Sequence, residues 1–416
     1  MEENMEKKET ADESVKAEKH VPGAAVKNGE EEGHEKKNSG MAKGFLLGIV
    51  FTGIVFGILY YVAGRDAKEA LIRKYISEVY LEEVDCETLK EGAYAGMVEA
   101  LGDPYSTYFS IEEYEQLAQD NAGTYVGIGI VMQQDLDTGL LTIVRCYENA
   151  PGILAGICEG DIIYKLNGEK VTADDMTEVS QTIRNSGEEG VHLTLLREGE
   201  NDYVEVDVAP EEVELPVVAH QMLEDNIGYL AIYEFKESTL HQYQEAFADL
   251  EAQGMERIII DLRNNPGGLM SSVTGILNTI LPEGTIVYTL DKNGNRKDYM
   301  GSGETPLEIP MVVLTNEYSA SASEIFAGAV RDYNIAKLVG TKTYGKGVVQ
   351  NIFSLDDGTA LKLTIANYYS PNGININGEG LEPDVEVELD LTPQEDGTIV
   401  DNQLQTAIET VKSMDN

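Results

Sequence analysis

The C-terminal half of this sequence predicts an α/β domain with a layered, mainly parallel sheet, and three observations carry that expectation. Apolar runs at Ile227–Tyr233, Arg257–Arg263 and Met311–Leu314 alternate with helix-patterned segments after residue 209. That order suits a parallel sheet covered by helices. Small-residue turns, above all Asn264-Asn265-Pro266-Gly267-Gly268, follow the strands. Residues 119–208 instead change to short alternating strands with Gly-rich turns, the pattern of a smaller α+β unit. At 416 residues the chain has length for two or three domains and a large core.

Taken in order, residues 1–43 are rich in Glu and Lys with almost no large apolar side chains, so an acidic, disordered cytoplasmic tail is expected. Phe45 to Gly64 follows, twenty residues without a charge. That is enough to span a bilayer as a helix, with Tyr60-Tyr61 at the outer interface. Lys36, Lys37 and Lys43 precede it, which by the positive-inside rule sets the N-terminus in the cytoplasm. The long leader argues against a cleaved signal peptide. The expectation is an uncleaved anchor over 44–64, with everything after residue 65 outside the cytoplasm.

Net charge is −44, from 30 basic against 74 acidic residues. This argues against a phosphate-tracking nucleic-acid binder and against electrostatic docking on anionic lipid. Cys86, Cys146 and Cys158 lack metal-ligand spacing and are too few for a disulfide framework, so they are expected to be packing residues.

Residues 65–118 read as a helical arm. Leu71, Ile72, Tyr75, Ile76, Val79 and Tyr80 recur at helical spacing, a second helix covers Leu89–Leu101, and Gly102-Asp103-Pro104 ends it. No chemistry is evident there, and the arm reads as a packing or dimerising element. In 119–208, strands are expected at Tyr125–Val131, Leu141–Arg145, Asp161–Leu166, His192–Arg197 and Tyr203–Val208, with helical pieces near Pro151 and over Asp174–Arg184. This region resembles a PDZ domain, with Gly127-Ile128-Gly129-Ile130 as the carboxylate-binding loop. Consecutive N–H groups can grip a terminal carboxylate while an adjacent strand edge pairs with the peptide. Taken alone, Gly-x-Gly is equally a strand turn, and without a third glycine it is no dinucleotide fingerprint.

The chemistry gathers around Tyr318-Ser319-Ala320-Ser321-Ala322-Ser323-Glu324. An apolar strand, a small-residue turn and a helix start raise a hydroxyl at a helix N-terminus, where free N–H groups and the dipole favour a developing oxyanion. Ser321-x-x-Glu324 also reads as a capping box, which needs no catalysis. A nucleophile requires a base, and of the five histidines only His220 and His241 fall after residue 209, neither near a motif. Lys346, in Gly345-Lys346-Gly347-Val348-Val349-Gln350, is the better candidate. On a strand, Lys346, Val348 and Gln350 would share a face. A lysine base must be neutral, and burial among apolar groups lowers its pKa. Alone, Lys346 reads more readily as a solvated lysine in a glycine turn than as a base. Gly340 to Lys346 mimics a phosphate loop, but Gly347 replaces the Ser/Thr that would hold magnesium and no helix follows.

From about residue 67 onward the sequence resembles the carboxy-terminal (tail-specific) processing peptidases, serine proteases with a Ser/Lys dyad and an inserted PDZ domain. The resemblance rests on Leu101-Gly102-Asp103-Pro104-Tyr105-Ser106, Gly127–Ile130, Leu262–Gly268, Ser319–Glu324, Gly345-Lys346-Gly347 with Gln350, Tyr368-Tyr369-Ser370-Pro371 and Gly380-Leu381-Glu382-Pro383-Asp384. It implies a ClpP/crotonase-like peptidase domain over 209–416, with Ser321 as nucleophile, Lys346 as general base and Gln350 supporting the lysine. The backbone N–H groups of Gly267 and Ala322 are implied as oxyanion donors. No metal or organic cofactor is implied. The implied partners are proteins or peptides with a free C-terminus, recognised by the PDZ domain, and the implied state includes a possible homodimer at the cell membrane. The competing reading is a non-catalytic membrane PDZ receptor or scaffold for protein C-termini.

Overall fold

A computed structural model describes residues 47–57, 67–135, 138–391, 393 and 400–414. The chain divides after Asp85 into two compact units. In the first, residues 47–57 are helical and exposed, and helix α1 spans Ala67–Val79. The acidic tail lies outside the described residues, as do all of the expected anchor except 47–57. Among the described residues no helix is long and apolar enough to cross a membrane.

The second unit opens with α2 (Cys86–Glu99), β1 (Thr107–Phe109) and α3 (Ile111–Ala122). Helix α3 starts at a true capping box: Ser110 Oγ accepts the Glu113 N–H (3.3 Å) while the Glu113 carboxylate accepts the Ser110 N–H (2.9 Å). It stops at Gly123, whose φ of 75° suits glycine.

Next come β2 (Thr124–Gly127), β3 (Ile130–Asp135), β4 (Leu140–Cys146), α4 (Pro151–Leu154), β5 (Ile162–Leu166), β6 (Glu169–Lys170), α5 (Met176–Asn185), β7 (Val191–Leu196) and β8 (Val204–Val208). Strands β3-β4-β5-β7-β8 form an antiparallel sheet, with β6 on β5 and β3 at one edge. Its alternation turns Leu141, Ile143, Ile163, Leu193 and Leu195 into one core with Val179 and Ile183 of α5. The continuous strand expected at Tyr125–Val131 is broken at Ile128-Gly129. Strand β2 leaves this sheet and pairs with β9 (Glu211–Glu214). Only Cys146 packs against the core; Cys86 and Cys158 are exposed, which corrects the packing expectation for those two.

The remaining elements are β10 (Val218–Met222), β11 (Ile227–Ile232), α6 (Thr239–Ala252), β12 (Arg257–Asp261), α7 (Met270–Leu277), β13 (Gly284–Asp291), β14 (Arg296–Gly301), β15 (Met311–Thr315), α8 (Ala322–Asp332), β16 (Ala336–Gly340), β17 (Val348–Ser354), β18 (Ala360–Tyr369), β19 (Val385–Glu386) and α9 (Asn402–Ser413). One sheet runs β10-β11-β12-β15-β16-β19, parallel except for β10. The central strands are covered on both faces, so Ile258-Ile259-Ile260 and Met311-Val312-Val313-Leu314 are apolar without alternation. Ile258, Ile260, Met311 and Val313 pack with residues of α6, α7 and α8, whereas Ile259, Val312 and Leu314 pack with Ala407 and Val411 of α9. A second, antiparallel sheet joins β1, β18, β13 and β14, with β17 on β18. Residues 107–109 of the expected arm are thus a strand, paired with Lys362–Ala360 of β18.

Candidate active site

Strand β15, fully buried, delivers the chain to the turn before α8. The three serines of that turn have separate fates. Ser319 Oγ donates to the Leu262 carbonyl (2.7 Å) and accepts the Asn316 N–H (2.9 Å). Ser323 Oγ donates to the Asn265 carbonyl (3.0 Å). Both are fully buried and hold the turn against the Leu262–Asn265 segment. Ser321 alone of the three lines a cavity, of about 250 Å³. Its backbone sits at φ 55°, ψ −110°, a conformation that costs a non-glycine residue about 1–3 kcal/mol. Such strain persists only where the surroundings enforce it, and here they are on both sides.

The first restraint is Glu324, 1% exposed. Its Oε2 accepts the N–H groups of Ser321 (2.9 Å) and Lys346 (2.9 Å); its Oε1 accepts the Gly345 N–H (2.8 Å) and the Thr343 hydroxyl (2.6 Å). The Glu324 N–H goes to the Ser321 carbonyl (2.9 Å). The capping-box reading therefore captured only part of this residue's role, because one buried carboxylate also ties the serine turn to the lysine loop. The same bonds dispose of the phosphate-loop mimic: the N–H groups of Gly345 and Lys346 already serve an internal anion.

The second restraint is Tyr368 of β18, buried, with its hydroxyl 2.6 Å from the Lys346 carbonyl and 3.0 Å from the Ser321 carbonyl. It donates its single proton to this pair, and burial pushes its pKa well above the ordinary phenol value. Neither Glu324 nor Tyr368 was singled out from sequence as part of the site. The available signal was only that each lies in a block carrying the family resemblance.

Lys346 lies before β17, not on it, and a register shift between Val349 and Gln350 breaks strict alternation. The expected shared face is replaced by a bulge that turns Lys346, Val348, Val349 and Gln350 together onto the cavity with Ser321 and Ala322. Burial lowers the Lys346 pKa and the Lys362 ammonium lowers it further, while the Asp103 and Glu324 carboxylates act the other way. Gln350 Nε2 donates to Thr364 Oγ1 (3.2 Å).

Gly267 packs behind the nucleophile turn, with room for no side chain. A Cβ there would lie 2.7 Å from the Ala320 carbonyl oxygen and 2.8 Å from Ser321 Cβ. Its N–H donates to the Asn265 side chain (2.8 Å), so in this arrangement it is held within its own loop, and the neighbouring Gly268 lines the cavity. Neither His220, bonded to Asp249, nor His241, beside Glu245, lines that cavity. Among the described residues no cluster of His, Cys, Asp and Glu could hold a metal ion. A larger hollow of about 560 Å³ is lined by Asp261, Arg263 and Asp401, and there both carboxylates pair with the one guanidinium.

The PDZ-like loop is not part of this cavity. Gly127, Ile128 and Gly129 are buried, whereas the carboxylate-gripping expectation needs open N–H groups. The Tyr125 ring lies where a Gly127 side chain would be, and its hydroxyl meets the Gly129 backbone; burial pushes that phenol up to about 12. Strand β3, which follows the loop, keeps its edge position.

A serine on a strained turn at a helix N-terminus is thus tied, through a buried acid, to the backbone of a half-buried lysine. Residues 226–387 match Peptidase family S41, residues 67–113 match the N-terminal domain of the activating protease CtpB, and residues 142–197 match a PDZ domain. The N-terminal, PDZ and peptidase matches thus follow one another along the chain without overlap. A probable CtpA-like serine protease of Staphylococcus aureus (strain COL) is 33% identical over 320 residues, covering 76% of this chain and 64% of the relative. Its counterpart in Staphylococcus epidermidis is 32% identical over 315 residues, covering 75% and 63%. The chain thus spans somewhat less than two thirds of these relatives. Among solved structures, a putative S41 protease from Bacteroides fragilis superposes with a TM-score of 0.51 at 18% identity, over 82% of this chain and 95% of that one, and shares the fold. The photosystem II D1 C-terminal processing protease aligns at 26% identity and a TM-score of 0.46, over 79% and 89%.

Proposed function

We propose that this chain is a membrane-anchored serine endopeptidase that cuts protein substrates at or near their C-termini, with Ser321 as nucleophile and Lys346 as general base. The observation that carries the reading is the shared cavity of Ser321 and a pKa-lowered Lys346, in a chain matching Peptidase family S41. Neutral Lys346 takes the Ser321 hydroxyl proton as Oγ bonds to the scissile carbonyl carbon. The resulting oxyanion is held by the Ala322 N–H and by the Gly267 N–H once Asn265 releases it. The ammonium returns its proton to the leaving amine as the C–N bond breaks, leaving an ester on Ser321. Water, deprotonated by Lys346, then hydrolyses that ester. Gln350 orients the lysine, and the PDZ-like region holds the substrate's terminal carboxylate at Gly127–Ile130 beside the β3 edge.

A fluorophosphonate probe tests this. It is expected to label Ser321, read by mass spectrometry of the digest, and Ser321→Ala is expected to abolish both labelling and peptide cleavage while remaining folded. Cleavage surviving in Ser321→Ala would overturn the assignment. A non-catalytic receptor for C-termini would bind peptides yet leave Ser321 unlabelled.

A further inference from the structure

The arm segment Gly102–Phe109 held no chemistry in the sequence, yet it reaches the lysine side of the cavity. Between α2 and β1 the chain turns at Asp103, whose carboxylate accepts the Ser106 hydroxyl (2.5 Å) and the Tyr105 N–H (3.2 Å). Ser106 Oγ in turn accepts the Thr364 N–H of β18 (3.1 Å), and Thr364 Oγ1 is the acceptor for Gln350. Tyr108 pins β1 to α2 through its hydroxyl bond to Glu91 (2.6 Å). Fixed in this way, the Tyr105 ring presents its face to Lys346, with Nζ 4.5 Å from the ring centroid.

We propose that Tyr105 is a positioning residue for Lys346, and that the arm completes the active site by supplying this aromatic platform. The inference rests on the Ser321/Lys346 reading and deepens it. A lysine side chain left free spreads over many rotamers, and ordering it for proton transfer costs entropy. A hydrogen-bond acceptor could fix the amine but would favour its charged form more strongly than a ring face does. A ring face holds the amine laterally and leaves its lone pair free for the serine proton. The charged and titratable groups facing Lys346 are the carboxylates of Asp103 and Glu324, the Lys362 ammonium, the Tyr368 phenol, whose hydroxyl is committed to the Ser321 and Lys346 carbonyls, and the Tyr105 phenol, which itself meets Tyr344. Of these, the Tyr105 ring presents its face to the amine, and it can be altered electronically at nearly constant shape.

The test follows acylation of Ser321 by a peptide p-nitrophenyl ester, which leaves the acyl group on Oγ and releases p-nitrophenol, against pH in the full chain. Tyr105→Phe keeps the ring and is expected to acylate at close to the wild-type rate. Tyr105→Leu keeps apolar bulk but no ring face, and acylation should slow by about tenfold or more. Replacing the Phe of the first variant by progressively fluorinated phenylalanines weakens the ring's hold on a cation while preserving packing. The rising limb of the rate should then move stepwise to lower pH, because the ammonium loses support. The fluorinated series remains decisive even if the Leu variant fails to fold. A pH profile unmoved across it, or a folded Tyr105→Leu enzyme with wild-type acylation, overturns the proposal. Lys346→Met separates the layers: if it acylates like wild type, the Ser/Lys reading itself fails. If it is dead while the Tyr105 variants are normal, only the platform fails.

Discussion

At the scale of single residues, Lys346 gives the sharpest expectation. Its pKa lies below the ordinary lysine value, so between those two pH values the unfolded chain binds more protons than the folded one. The residue's contribution to stability therefore rises with pH across that window, and below it the buried ammonium is a standing cost. Cleavage should climb with pH along the same ionisation, and Lys346→Arg should be as inactive as Lys346→Ala, since a guanidinium keeps its proton. A folded Arg variant retaining roughly a tenth of wild-type turnover, about 1.4 kcal/mol of barrier, would show that charge rather than basicity matters. Gly267 tests the turn from behind. Its φ of 108° and the near contacts of a Cβ at Ala320 and Ser321 mean that Gly267→Ala must displace the nucleophile. The expected result is at least a tenfold fall in kcat, about 1.4 kcal/mol or more, with KM little changed. Unchanged kcat would show that the turn yields without cost.

At the scale of elements, the serine turn, the lysine loop and β18 act as one assembly. The Leu381 N–H goes to Thr343 Oγ1 (2.7 Å), whose hydroxyl proton goes to Glu324, so the Gly380–Asp384 block holds the lysine loop from its far side. Beside the PDZ-like sheet, Tyr125 of β2 lying against Gly127 and Gly129 means a peptide carboxylate must displace the phenol to reach the N–H groups. Binding of a free-acid peptide should accordingly be weak in the wild type and strengthen in Tyr125→Ala, and amidating the peptide's C-terminus should abolish the gain. Calorimetry reads this directly, and equal affinity for acid and amide would exclude carboxylate capture at this loop.

At the scale of the whole molecule, the net charge of −44 and the uncharged run Phe45–Gly64 pull apart two modes of membrane association. Electrostatic adhesion to anionic lipid is opposed by the charge, so association through the apolar run should survive both high salt and carbonate and yield only to detergent. Release of the full chain from membranes by salt alone would refute the anchor.

Much of the architecture was legible because it is local. The apolar strands, the helix after Pro266 and the PDZ-like alternation are periodic patterns within short windows, and the resemblance blocks pointed to Ser321 and Lys346. The β13–β14 hairpin and the departure of β2 to β9 were not legible, since pairing partners are chosen by tertiary packing rather than by the strand's own residues. The sequence by itself determined which residue types were available for the chemistry: one serine at a helix start, one lysine among glycines, no histidine in a motif. Only the tertiary structure decided how they are held. Glu324 meets the backbone at Lys346, Tyr368 bridges Ser321 and Lys346, and Tyr105 faces a lysine far along the chain. Contacts between residues so distant in sequence leave no periodic trace, because the distance that matters to them exists only once the two sheets have closed around the cavity.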